Sequence, residues 1–108
     1  MENTETKQKS FSEIINDEVP VLVDFYADWC APCKMMTPIL QQLKHEMGDK
    51  LNIIKVDTER NPDVAIKYQV RGIPNLILFH KGELLWQQAG VVQMPQLKQI
   101  IEQQLEQR

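Results

Sequence analysis

Apolar and polar positions alternate along the chain in two recognisable rhythms. Residues 21–27 (VLVDFYA), 51–57 (LNIIKVD) and 75–80 (NLILFH) are short, mostly apolar runs rich in β-branched and aromatic residues, and they predict strands. The first lacks a polar face, as expected of a strand buried on both sides. Asp24 is its one charged residue. From Cys33 the rhythm changes. Met36, Ile39, Leu40, Leu43 and Met47 recur three and four apart, predicting a helix that Gly48 stops and Pro38 kinks. Asn61-Pro62 reads as the N-cap and first position of a short helix reaching about Gln69. Lys81-Gly82 between residues 75–80 and 83–88 predicts a hairpin. Leu97, Ile100, Ile101 and Leu105 form one face of a helix beginning near Met94, with glutamines on the other. Upstream, Ser10-Phe-Ser-Glu13 has capping-box spacing for a helix from Phe11 to about Asp17, ended by Glu18-Val-Pro20.

Strand–helix–strand over residues 21–57 implies a parallel pair with a right-handed crossover, and the hairpin adds antiparallel partners. The expected fold class is α/β, a mixed sheet flanked by helices. Its site belongs past the carboxyl end of the 21–27 strand, where a helix starts. No repeat or linker divides the 108 residues, so one domain is expected over residues 10–108. Residues 1–9 (MENTETKQK) are nearly all polar and read as a disordered arm.

Composition removes several classes. The chain is 43% hydrophobic and 25% charged with net charge −3, and no basic cluster favours nucleic acid. No apolar run approaches the ~20 residues of a membrane span. The first eighteen residues hold no apolar block of a secretory signal, so a cytoplasmic location is expected, and a monomer is expected alongside it. Two cysteines are too few for a disulfide-stapled secreted scaffold.

Those two, Cys30 and Cys33, stand three apart at the predicted strand-to-helix junction. Zinc needs four ligands, and His45 and His80 lack the spacing to complete a site, so no metal is expected. An iron–sulfur cluster needs four thiolates. A structural disulfide closing so small a loop would constrain little of the unfolded chain. Redox chemistry fits best. A helix start favours the thiolate, two intervening residues let the sulfurs bond, and one thiol can attack while the other resolves. Pro32 suits the first helical turn and Lys34 adds positive charge.

With that pair in place, the chain closely resembles the thioredoxin family from about Phe11 to its C-terminus. The resemblance rests on Val23-Asp-Phe-Tyr-Ala-Asp-Trp-Cys-Ala-Pro-Cys-Lys34, then Lys55-Val-Asp57, Asn61-Pro62, Tyr68, Arg71-Gly-Ile-Pro74, Phe79, Gly82 and Gly90. It implies the thioredoxin fold and a dithiol–disulfide oxidoreductase that reduces protein disulfides. It also implies regeneration by an NADPH-dependent thioredoxin reductase and no bound cofactor. By this resemblance Cys30 is the attacking, more exposed thiolate and Cys33 the resolving thiol. Asp24 is the family's buried acid below them, fitted by a raised pKa to exchange the Cys33 proton. The other reading of Asp24 is an internal ion pair with Lys55, which joins the catalytic group. Pro74 matches the family's cis-proline. Ile73 would offer its backbone to an extended substrate, with Trp29, Ala31, Pro32, Gly72, Gly90 and Val91 as further docking residues. Met35, Met36 and Phe79 read as core.

The chain departs from the pattern at four places. Ala31 replaces the usual glycine between the cysteines, at a place that helps set the redox potential. Tyr26 replaces a common Trp and should alter packing beneath the site. Thr58 stands at a docking position often apolar. Residues 1–9 lack the apolar residues of the usual first edge strand, so that strand is expected to be short, irregular or absent. Two competing readings are an oxidase or isomerase of an oxidising compartment, and a structural or chaperone-like partner that does not use its thiols. The intact cysteine pair, Asp24 and Gly72-Ile-Pro74 argue against the second.

Overall fold

The computed structural model describes residues 9–107. The reading of residues 1–9 as an arm without a regular edge strand falls, but for Lys9, outside them. Four strands form one sheet in the order β2-β1-β3-β4, from β1 (Val21–Tyr26), β2 (Asn52–Asp57), β3 (Asn75–His80) and β4 (Glu83–Ala89). β1 pairs with β2 in parallel and with β3 antiparallel, and β3 pairs with β4 antiparallel. This is the mixed sheet expected. Among the described residues four α-helices accompany it, α1 (Phe11–Ile15), α2 (Ala31–Met47), α3 (Pro62–Lys67) and α4 (Met94–Glu106), with a 3-10 turn at Gly48–Lys50 after α2.

Strand alternation assigns the sheet two buried faces. Leu22, Leu76 and Leu78 pack with Met36, Leu40, Leu43 and Met47 of α2 and with Leu97 and Ile101 of α4. Val21, Val23, Phe25, Ile77 and Phe79 pack on the other face with Ile15, joined by Phe11 and Tyr68. Phe11, Tyr68 and Phe79 meet there with ring centroids 5.2–5.8 Å apart. Asp24 has even parity with Leu22, so it belongs to the face covered by α2. Its register partners are Lys55 on β2 and Leu76 on β3.

The element ends follow local chemistry. α1 carries the full capping box, with Ser10 Oγ accepting from the Glu13 N–H and Glu13 Oε1 accepting from the Ser10 N–H. It stops two residues earlier than the sequence suggested. The carbonyls of Ile15 and Asp17 instead accept the N–H groups of Gly82 and Lys81 in the β3–β4 turn. Both turn residues have positive φ, as a two-residue hairpin of this hand requires. α2 begins at Ala31, not Cys33, because Cys30 is its N-cap. It runs through Pro38 as one helix and ends at Gly48, φ 56°. α3 ends at Lys67 rather than near Gln69, which turns left-handed (φ 55°). Asn61 occupies the N-cap position without a side-chain cap bond, and its amide nitrogen donates back to the Asp57 carbonyl. Met35 also departs from expectation: it lies outside the buried stripe of α2 and is 56% exposed, whereas Met36 and Phe79 are core.

Candidate active site

β1 ends at Tyr26, and after four intervening residues α2 begins at Ala31, so the cysteines stand past the carboxyl end of a central strand. They are joined in a disulfide with Cα atoms 5.3 Å apart. Cys30 Sγ accepts the Cys33 N–H at 3.2 Å, so a sulfur occupies the place of a capping oxygen. When the bond is reduced, a thiolate there is held by that N–H and by the positive end of a 17-residue helix. The same sulfur lies 3.8 Å from the Ile73 carbonyl. Ile73-Pro74 is a cis peptide bond, as expected at this position, and Pro74 is buried.

In the disulfide both cysteines are buried, Cys30 3% and Cys33 2% exposed, because both are tucked against Ala27, Tyr26 and Ile73, so exposure scarcely separates them. Surroundings distinguish them instead. Cys30 faces the Ile73 carbonyl, whereas Cys33 borders a cavity of about 120 Å³ shared with Tyr26, Ala27, Asp28, Lys34, Thr37 and Lys55.

Asp24 is fully buried, and neither carboxylate oxygen has a hydrogen-bond partner among the described residues. Burial pushes its pKa from 3.8 up to about 6, against a smaller downward pull from the Lys55 charge. The two do not form the ion pair that was the other reading of Asp24. Lys55 Nζ donates to Thr37 Oγ1 at 3.3 Å and sits 4.8 Å from the centre of the Tyr26 ring. Tyr26 therefore holds a cation as well as filling space. Asp24 lies on the sheet face covered by α2's buried stripe, and that stripe begins with Cys33. Lys55, its register partner, helps wall the cavity that reaches Cys33.

The expected docking residues divide between two sides of the disulfide. Trp29 is 69% exposed, and its indole N–H donates to Glu59 Oε2 at 2.6 Å in the loop after β2. Gly72 and Ile73 approach from the loop before β3. The Gly90 N–H donates to the Pro74 carbonyl at 2.7 Å. Val91 is half-buried and packs toward the α2–α4 core, so only part of it is free. Ala31 and Pro32 are exposed beside Cys30. Thr58 spends its hydroxyl on the Tyr26 carbonyl at 3.2 Å.

Glu59 and Thr37 were missed in the sequence. Glu59 could have been suspected from its place past the carboxyl end of β2. Thr37 gave no signal, being one polar residue on a helix until Lys55 is folded against it. Among the described residues no three His, Cys, Asp or Glu side chains gather to hold a metal. No helix there is long and apolar enough to cross a membrane.

The sequence model of the thioredoxin family matches residues 2–103. Thioredoxin 1 of Chlorobaculum tepidum is 45% identical over 86 residues, covering 80% of this chain and 85% of that one. Thioredoxin C-2 of Corynebacterium nephridii is 41% identical over 100 residues, 93% of each chain. Chloroplastic thioredoxin Y of Oryza sativa is 44% identical over 98 residues, 90% of this chain and 58% of that one. With an α/β sheet of the expected kind and a cysteine pair bonded at the head of α2, the chain belongs to the thioredoxin family and is a thiol–disulfide oxidoreductase.

Proposed function

We propose that the chain is a general protein-disulfide reductase in which Cys30 attacks and Cys33 resolves. The observation that carries this is Cys30 Sγ itself, capping α2 and facing the Ile73 carbonyl. In the reduced protein the Cys30 thiolate attacks one sulfur of a substrate disulfide. The other substrate sulfur leaves and takes a proton. Cys33 gives its proton to Asp24, and its thiolate attacks Cys30 Sγ, expelling the second substrate thiolate, which is protonated in turn. The substrate gains two electrons from the dithiol and two protons, one from solvent and one released by Cys33 and returned through Asp24, and Cys30–Cys33 becomes the disulfide. Asp24, whose pKa near 6 leaves it mostly ionised at neutral pH, is suited to accept that proton. Lys55, held over Thr37 and Tyr26, keeps a positive charge beside the route without neutralising the acid.

An extended substrate strand docks on the Ile73 backbone, with Trp29, Ala31, Pro32, Gly72, Gly90 and Val91 around it. Residues 10–108 act as one monomeric domain in the cytoplasm, and an NADPH-dependent thioredoxin reductase returns the disulfide to the dithiol. The test is insulin reduction coupled to thioredoxin reductase and NADPH, with two variants. Cys33→Ser is expected to accumulate a mixed disulfide with insulin through Cys30, and Cys30→Ser to form none. Trapping through Cys33 instead would overturn the assignment. An equilibrium reduction potential well above the thioredoxin range of about −270 mV would favour an oxidase or isomerase.

A further inference from the structure

The loop from Tyr68 to Asn75 carries the cis bond beside Cys30, and two side chains outside the expected site tie it together. Gln87, on β4, donates from Nε2 to the Tyr68 carbonyl at 3.0 Å and to Asn75 Oδ1 at 3.1 Å. Asn75, only 4% exposed, donates its own Nδ2 to the Gly72 carbonyl at 3.2 Å. The start, middle and end of the loop are thereby linked through one pair of amides. Carbonyl oxygens can only accept, so the orientations of both amides are fixed by their partners. The last of these bonds sets the peptide joining Gly72 to Ile73, whose own carbonyl faces Cys30 Sγ. Gln87 is an exposed residue of the edge strand β4, outside the buried clusters of the sheet.

We propose that Asn75 and Gln87 are positioning residues that preset the Gly72–Ile73 peptide for the polypeptide flanking a substrate disulfide. This rests on the docking reading above. A loop already held in its binding shape loses less freedom when a strand pairs with it. A small disulfide without a peptide backbone makes no use of that surface.

The experiment measures steady-state reduction of insulin and of dithiodipyridine by Gln87→Met, which keeps length and removes both donated bonds. The expected result is a KM for insulin raised by about fivefold, near the net worth of one hydrogen bond. Turnover number for insulin and kcat/KM for dithiodipyridine stay within about twofold of the parent on the same reasoning. Asn75→Ser shifts KM in the same direction, and the double variant falls short of the product of the two. An unchanged KM for insulin, or equal losses on both substrates together with a lowered Tm, overturns the proposal. If Asn75→Ser does not fold, Gln87→Met decides alone. Trp29→Ala is measured in parallel. A raised KM for insulin there without one in Gln87→Met leaves docking intact and rejects the positioning role. No change in either variant rejects both.

Discussion

At Asp24 a single residue sets stability against chemistry. A buried carboxyl without a partner among the described residues favours the protonated form, and its pKa rises from 3.8 to about 6. The unfolded chain loses this proton near 3.8 and the folded protein not until about 6. Between those values the folded state binds the extra proton, so stability falls as pH rises through the window and stays lower above it. Asp24→Asn is therefore expected to gain stability relative to the parent as pH rises from 4 to 7, reaching about 2–3 kcal/mol in its pH-dependent part. Urea denaturation of the oxidised proteins at several pH values checks this, and a pH-independent difference would contradict it. The same variant is expected to reduce insulin roughly tenfold or more slowly at pH 7 and to lose the inflection that Asp24 gives the rate profile. Asp24 was legible because a charge in an apolar strand stands out. The setting of Lys55 was not, since its partners Thr37 and Tyr26 are contributed by separate elements.

Helix α2 gives the site its reactive end. Its N-terminal N–H groups have no carbonyl partner within the helix, and one of them is directed at Cys30 Sγ. In the reduced protein Cys30 is expected to be alkylated by iodoacetamide at pH values where an ordinary thiol is still protonated, and Cys33 to react far more slowly. Peptide mapping after brief labelling across a pH series measures both. Equal labelling of the two cysteines would mean that the helix start does not select Cys30. The four strands, α2 and α4 were legible from periodicity and turn residues, α1 and α3 from their capping signals, and the Cys30-Ala-Pro-Cys33 junction from its place between two rhythms. The ends were less so. Gln69 in left-handed conformation stops α3, and no sequence rule marks a glutamine for that role. The Asn61 side chain turns away from its helix to the Asp57 carbonyl, a choice made only when the preceding loop is folded.

Across the whole molecule, the pairing of α4 with α2 shows which forces hold the scaffold under the site. Leu97 is fully buried against the α2 face, while Lys98 beside it makes a half-exposed ion pair of 3.0 Å with Glu46. Leu97→Ala is expected to cost about 2–5 kcal/mol, from lost burial plus the cavity left behind. Glu46→Gln is expected to leave the denaturation midpoint essentially unmoved, because solvent screens the pair. Chemical denaturation of both variants compares them directly, and a larger loss from Glu46→Gln would reverse the ranking.

The sequence by itself determined the class of chemistry, the strands and helices, and the position of the cysteine pair, because periodicity and a short motif are local properties of the chain. It also marked Asp24, since burial of a charge is foreshadowed by its neighbours. Only the tertiary structure decided the relations between segments distant along the chain. These are the Ile73 carbonyl against Cys30, the Glu59 carboxylate on Trp29, Lys55 drawn to Thr37 and Tyr26, and Gln87 closing a loop that starts nineteen residues before it. Such contacts depend on register and crossover, which bring together atoms whose spacing in sequence carries no signal. The two cysteines, close enough to be read as a pair at the outset, owe their different surroundings to those distant segments.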